Sequence, residues 1–226
     1  MKRFTIATSI LSLMMMLFIA CSGDNNDNTD PNVSPDPKPT NGKTLVAYFS
    51  QTVPEGVDAT TGATNVVREN GNDYGAAQYL ALMVARKTDA DTLRLTAASG
   101  HYPVEYNDLA AFARTERDNN THPALTSRRV NMADYTNIIV VTPIWWYTVP
   151  MPVYSFLDAY DLNGKSVFVA TTHAGSGLAD AVAVIRKEEP NAKVLNNGFA
   201  VSASNVSNSI SADVDRWLQQ LGLTDR

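Results

Sequence analysis

The sequence predicts an α/β fold in which a five-stranded parallel sheet lies between two layers of helices. Short runs rich in β-branched and aromatic residues alternate with longer runs that carry an apolar stripe at helical spacing. Turn-forming residues separate the runs, and the alternation repeats along residues 43–226. Because repeated βα units connect through right-handed crossovers, they place the strands parallel and cover both faces of the sheet with helices.

The strand-like runs are short, and turn formers bound each of them. They cover residues 44–50, 91–97, 137–143, 166–172 and 193–202. The helix-like runs follow them in alternation, and each has one apolar face. They cover residues 74–88, 103–119, 149–160, 176–190 and 209–222.

Three strand-to-helix loops are expected to meet at the carboxyl edge of this sheet, where ligands bind in such folds. They cover residues 50–74, 142–149 and 171–177. The second loop holds Trp145, Trp146 and Tyr147, which we call the aromatic turn. Large aromatics in a turn are either a packed lid on the core or a platform for a flat ligand. Both interpretations stay open on these residues alone.

The third loop, "TTHAGSGLAD", combines hydroxyls, glycines and His173 directly before a predicted helix. Backbone amides there suit an anion or a carbonyl-rich ring edge. The loop also fits ordinary turn chemistry, with Ser176 as the N-cap and Gly175 supplying an unusual backbone angle, and on this loop alone that interpretation is favoured. The three histidines of the chain show no metal-ligand spacing, so no metal site is expected.

Several function classes lack their motifs. Gly175, Ser176 and Gly177 are consecutive, so the Gly-x-Ser-x-Gly of a hydrolase nucleophile elbow is absent. The chain has neither a Walker-type phosphate loop nor a Gly-x-Gly-x-x-Gly after its first strand. A net charge of -5 without a Lys or Arg run argues against nucleic acid as a partner.

The N-terminus predicts export and lipid anchoring. Residues 1–20 have a charged start and an apolar run that is typical of a signal peptide, and "LFIAC" resembles a bacterial lipobox that ends at Cys21, the only cysteine. We expect Cys21 to be acylated, with residues 21–42 as a disordered tether and residues 43–226 as the folded domain. The predicted location is the cell envelope, on its periplasmic or outer-membrane face, with a lipid anchor as the sole membrane attachment.

Three motifs together resemble the flavodoxin family, particularly its bacterial flavodoxin-like lipoprotein branch. They are "TLVAYFSQT" at residues 44–52, "TPIWWYTVPMPVYSFLDAYDLNGK" at residues 142–165 and "THAGSG" at residues 172–177. The resemblance covers residues 43–224. It implies a three-layer flavodoxin-like sandwich with sheet order 2-1-3-4-5, FMN as the cofactor, and either a redox partner protein or a small acceptor such as a quinone.

The resemblance also assigns cofactor-binding residues in four groups. The start of the phosphate loop matches Ser50, Gln51 and Thr52, and the first turn of the next helix supplies Gly75, Ala76 and Ala77. The ring-stacking loop matches Thr142, Pro143, Ile144, Trp145, Trp146 and Tyr147. The loop along the pyrimidine edge matches Thr172, His173, Ala174, Gly175 and Gly177. No catalytic residue is assigned, because the flavin would be the redox group.

One departure from the family pattern lies between the first strand and the first helix. Residues 53–73 intervene, and "TTGATN" at residues 60–65 imitates the phosphate motif without opening a helix. We interpret them as a loop insertion, with the helix beginning at Tyr74. The first turn of that helix, with Gly75, Ala76 and Ala77, then lacks side-chain donors to phosphate. The alternative function is therefore a binding module that kept the fold and lost FMN.

Overall fold

The computed structural model describes residues 42–51 and 66–224, and the structural statements below concern these residues. The predicted signal peptide, Cys21, nearly all of the predicted tether and the segment at residues 60–65 lie outside the described residues. Thr52 of the predicted phosphate loop lies outside them as well.

Eight strands and five α-helices, together with three short 3₁₀ helices, make up the described fold. The strands are β1 (Thr44–Phe49), β2 (Val66–Glu69), β3 (Asn72–Gly75), β4 (Asp91–Leu95), β5 (Asn137–Pro143), β6 (Ser166–His173), β7 (Lys193–Val194) and β8 (Phe199–Ser202). The helices are α1 (Ala76–Thr88), α2 (Tyr106–Asp118), α3 (Met151–Ala159), α4 (Ala181–Glu188) and α5 (Ser211–Leu221).

The main sheet is parallel and has the order β4–β1–β5–β6–β7, with β8 also pairing with β6. Numbered by the predicted strands, this order is 2-1-3-4-5, so the predicted fold class is confirmed. The prediction of one strand over residues 193–202 is wrong in detail, because β7 and β8 are separate. A turn at residues 195–198 divides them, and a Cβ atom on Gly198 would come within 3.1 Å of the Val169 carbonyl oxygen.

Part of the predicted loop insertion at residues 53–73 is instead an antiparallel hairpin of β2 and β3. Its turn residues, Asn70 and Gly71, have φ angles of 51° and 78°. Two positive φ angles are typical of the type I′ turn that joins tightly paired strands. The hairpin runs directly into α1, which begins at Ala76 with Gly75 as its N-cap, two residues after the predicted start at Tyr74.

Helix α4 begins five residues later than the sequence predicts. Gly177 and Ala179 have φ angles of 60° and 46°, which a right-handed helix cannot contain. The Ala179 N–H donates to the Ser176 carbonyl oxygen at 3.1 Å, so these residues form a turn. The N-cap of α4 is therefore Asp180 and not Ser176.

The core has two layers, one on each face of the sheet. Alternate residues of β1 divide between them, with Leu45 and Phe49 on one side and Val46 and Tyr48 on the other. Helices α2, α3 and α4 pack on the first face, whereas α1 and α5 pack on the second. Across the described ranges, no helix has both the length and the apolar content that a membrane crossing requires.

Candidate functional site

A cleft of about 480 Å³ lies at the carboxyl edge of the sheet. Three elements form it: helix α2, the aromatic turn after β5, and the loop after β6. Their lining residues are Tyr106, Leu109, Ala110, Ala113, Ile144, Trp145, Trp146, Tyr147, Ala174, Gly175 and Ser176. Strand register brings the two loops together, because Pro143 pairs with Thr172 and the Ile144 N–H donates to the Thr172 carbonyl oxygen at 2.9 Å.

The aromatic turn is a tight two-residue reversal of the chain. Trp145 and Thr148 exchange backbone hydrogen bonds of 2.9 and 3.1 Å, with Trp146 and Tyr147 between them. These two residues have φ angles of 51° and 64°, as the central residues of a type I′ turn do. Bulky side chains are rare there, and each left-handed residue costs about 1–3 kcal/mol. Strain of this kind points to a functional site.

The two tryptophans differ in their surroundings, as expected for adjacent side chains that diverge. Trp145 is 8% exposed, and its ring meets those of Phe49 and Tyr102 edge to face at centroid distances of 5.3 and 5.4 Å. Trp146 is 40% exposed and Tyr147 is 76% exposed. Trp145 is thus part of the core, whereas its two neighbours are available to a ligand.

Helix α2 holds Trp146 in place. The indole Nε1–H donates to the Ala110 carbonyl oxygen at 2.9 Å, and Arg117 Nη1 donates to the Trp146 carbonyl oxygen at 3.1 Å. The guanidinium groups of Arg114 and Arg117 lie 5.3 and 5.7 Å from the centroid of the indole ring. Cation–π attraction and hydrogen bonding therefore offset the backbone strain of the turn.

The loop after β6 lines the cleft with three small residues, Ala174, Gly175 and Ser176. Gly175, with φ of 123°, donates its N–H to His173 Nδ1 at 2.9 Å, which leaves the ring proton on Nε2. Burial lowers the pKa of His173, so the neutral ring is favoured. His173 braces the loop but does not line the cleft, while Ala174 and Gly175 do.

The remaining predicted site residues lie elsewhere on the same edge. Thr142, Pro143 and Thr172 end their strands beside the cleft without lining it. Ser50 and Gln51 line a neighbouring cleft of about 520 Å³, which is formed with the β4–α2 connection. The two clefts are separated by the contact of Trp145 with Phe49 and Tyr102.

The start of α1 offers few donors. Gly75, Ala76 and Ala77 are buried, and no side chain caps this helix. Backbone amides of the first turn are consequently the donors that this helix end supplies to an anion.

Five cleft residues were missing from the predicted set. Four belong to α2, namely Tyr106, Leu109, Ala110 and Ala113, and the fifth is Ser176. The spacing of the α2 residues is that of one helical face, and the helix follows the strand beside β1. This spacing is visible in the sequence, but it does not distinguish a cleft wall from a core face.

The flavodoxin family profile matches residues 43–221, which is most of the chain. The chain belongs to the flavodoxin family. No curated protein sequence matches it significantly.

Solved structures share this fold. A proposed flavoprotein from Bacteroides eggerthii is 19% identical with a TM-score of 0.59, covering 80% of this chain and 99% of its own. A second proposed flavoprotein, from Bacteroides uniformis, is 25% identical with a TM-score of 0.58, and the match covers 79% of this chain and 98% of that protein. A flavoprotein from Lactobacillus acidophilus, solved in complex with FMN, is 16% identical with a TM-score of 0.52. The match covers 78% of this chain and 98% of that protein.

A buried carboxylate supports the cleft wall in this flavodoxin. Glu116 accepts from the Tyr102 hydroxyl at 2.7 Å, and its other oxygen lies 2.7 Å from His101 Nε2. Burial, reinforced by Glu116, raises the pKa of Tyr102 well above its ordinary range, so the phenol remains a neutral donor. Because the Tyr102 ring contacts Trp145, this network fixes the base of the aromatic turn.

Proposed function

We propose that this protein binds FMN and uses it to transfer electrons, either to a redox partner protein or to a small acceptor such as a quinone. The observation that carries the proposal is the aromatic turn, held in a strained conformation at the mouth of a cleft. Membership of the flavodoxin family supports FMN as the cofactor. The relative from Lactobacillus acidophilus, a flavoprotein in complex with FMN, also makes FMN the first compound to test.

The residues of the cleft fit the flat ring of a flavin. The volume of the cleft, about 480 Å³, lies in the range of cofactor sites. Trp146 and Tyr147 present aromatic surface, and the loop at residues 174–176 completes the opposite wall with small residues.

When bound, FMN supplies the redox chemistry. The exposed aromatic rings stack on a flat ligand and exclude water from it. Glu116 and Tyr102 keep Trp145 in position, and His173 orders the backbone of the opposite loop. The protein thereby contributes position and environment rather than acid–base groups.

The alternative is a binding module that has the flavodoxin fold without FMN. The start of α1 favours it, because Gly75, Ala76 and Ala77 provide no side-chain donor. Each hydrogen bond to a charged group contributes about 1.5–3 kcal/mol, so one missing donor weakens phosphate binding about tenfold or more.

An absorption spectrum of the purified full-length protein, recorded with and without added FMN, distinguishes the two functions. A yellow protein, or a colourless one that becomes yellow and stays so after removal of free FMN, supports the flavoprotein. A colourless protein that cannot be reconstituted supports the binding module.

The proposal places the protein in the cell envelope through acylation of Cys21, which lies outside the described residues. The charged start, the apolar run and "LFIAC" support this location. We expect Cys21→Ala to release the protein from membranes, as measured by detergent phase partitioning. A variant that remains in the detergent phase would contradict lipid anchoring.

A further inference from the structure

The exposed apolar side chains of the described chain are concentrated around the cleft. The large ones with substantial exposure are Val104, Tyr106, Phe112, Trp146 and Tyr147. All five lie just before α2, on α2, or in the aromatic turn. Clustered apolar surface beside a cleft marks a contact site for a ligand or partner.

Positive charge lies beside this apolar surface. Ala110, Ala113, Arg114 and Arg117 follow one another on one face of α2 at helical spacing, and both guanidinium groups lie over Trp146. The cationic pair therefore extends the cleft wall formed by the two alanines. The chain as a whole has a net charge of -5, so two adjacent guanidinium groups at this place are a local exception.

The acidic residues at the C-terminal end of α2 do not cancel the charge of both arginines. Within residues 42–51 and 66–224, the ion pairs of Arg114 and Arg117 involve one carboxylate, that of Asp118, at 3.8 and 2.6 Å. Glu116, the other acidic residue of this helix end, is buried and already satisfied by Tyr102 and His101. Two guanidinium groups that share one carboxylate leave one positive charge at this end of α2, whereas the exposed Glu105 and Asp108 lie at its other end.

Helix stability alone does not explain this arrangement. Arg117 lies in the last turn of α2, where a cation interacts favourably with the helix dipole. That interaction does not require two guanidinium groups to lie over an aromatic ring that lines a cleft. Arg117 also supports the strained turn through its hydrogen bond to the Trp146 carbonyl oxygen, and a recognition role accounts for the second guanidinium group beside it.

We infer that the small acceptor of this protein is a planar aromatic compound with a negative charge, and that Arg114 and Arg117 select it. Tyr106 and Phe112, the exposed rings that α2 contributes beside the aromatic turn, receive its flat part, and the guanidinium groups attract its anionic group. This inference rests on the proposed flavin function and adds the chemical class of the acceptor.

The experiment compares two quinones of similar shape, the anionic naphthoquinone sulfonate and the neutral menadione. Full-length protein loaded with FMN is reduced anaerobically, and its reoxidation by each quinone is followed by stopped flow at low ionic strength. The measured quantity is the ratio of the two second-order rate constants. Taking this ratio for each variant cancels changes that affect both quinones equally.

The variant Arg114→Gln/Arg117→Gln should lower this ratio about tenfold, because a charged cleft mouth raises the encounter rate of oppositely charged ligands. Arg114→Lys/Arg117→Lys keeps the charge and should keep most of the ratio. The control Lys187→Gln/Arg216→Gln removes the same charge from side chains that are 82% and 67% exposed on α4 and α5, and it should leave the ratio unchanged. Added salt should reduce the wild-type preference.

A second measurement does not depend on bound flavin. Quenching of tryptophan fluorescence in the cofactor-free protein reports binding of the two quinones, and the same loss of preference is expected in the glutamine variant.

An unchanged ratio in both measurements would overturn the inference, while FMN binding in the wild type would leave the proposed function standing. A glutamine variant that loses FMN affinity without a change of ratio would assign the arginines to the cofactor, which also overturns the inference. Failure of the wild type to bind FMN would instead reject the proposed function.

Discussion

The aromatic turn and the start of α1 lie on the same edge of the sheet but are built differently. Trp146 and Tyr147 accept a strained backbone, and α2 holds Trp146 through hydrogen bonds and two guanidinium groups. The first turn of α1 has small buried side chains and no cap. In the proposed flavin function, side chains of the aromatic turn would recognise the flat part of the ligand, whereas backbone amides at the start of α1 would recognise its anionic part.

The largest effect is expected from Trp145→Ala, which removes a packed residue beneath the turn. Loss of a buried tryptophan costs about 3–5 kcal/mol, or roughly 10 °C in the melting temperature of a domain of this size. Thermal unfolding of the cofactor-free protein measures it. Trp146→Ala is the control and should change the melting temperature by no more than about 2 °C.

Trp146→Ala tests the platform itself. Aromatic contacts of this kind contribute about 0.5–1.5 kcal/mol beyond the buried area, so FMN binding should weaken about two- to twelvefold. Tryptophan fluorescence should fall when FMN is added to the wild type and should fall less in the variant. Tyr147→Ala is the second candidate for the same effect.

The outcome that contradicts the platform is equally specific. If Trp145→Ala and Trp146→Ala destabilise the cofactor-free protein equally, and FMN neither quenches fluorescence nor raises the melting temperature, the aromatic turn is a structural lid. The flavin function would then be abandoned.

Deletion of residues 59–65 tests whether the segment between β1 and β2 is needed to bind the phosphate of FMN. This segment contains all of "TTGATN" and lies outside the described residues. If it is only part of a loop, FMN affinity should stay within a few-fold of the wild-type value, as measured by titration. Complete loss of binding with an intact fold would identify the segment as the phosphate site.

The smallest effect concerns pH and His173. Because burial lowers the pKa of His173 in the folded state, the unfolded state binds more protons as pH falls below about 6.5. Protonation also removes the Nδ1 acceptor of the Gly175 N–H. The loop should therefore loosen, and FMN affinity should fall a few-fold between pH 8 and pH 5.5, in about the range where a neutral histidine takes up its proton.

His173→Asn supplies the matched control for that measurement. The asparagine carbonyl can accept the same N–H two residues further on without titrating. The variant should lose the part of the pH dependence that belongs to histidine, while any contribution from the phosphate of FMN remains. Identical pH profiles for the two proteins would show that His173 does not control the loop.

The sequence predicted the alternation of strands and helices and the aromatic turn because both depend on local patterns, whereas the sheet order was predicted from the resemblance to the flavodoxin family. It also contained the signal for the β2–β3 hairpin, since Asn70 and Gly71 form the dipeptide most typical of a type I′ turn. The break between β7 and β8 was less visible, because it depends on close packing of Gly198 against Val169 and Leu178. The pairing of Trp146 with Arg114 and Arg117 joins segments about thirty residues apart, which periodicity does not reveal.

The left-handed backbone at Trp146 and Tyr147 has a consequence for protein engineering. Asparagine and glycine adopt these angles readily, so a screen that rewards heat resistance alone should favour replacing the aromatic pair with them. A variant selected in this way would be more heat-stable but would lack the aromatic side chains that the proposed function assigns to ligand binding. Stabilised versions of this domain should therefore be selected with the ligand present, or with these two positions held fixed.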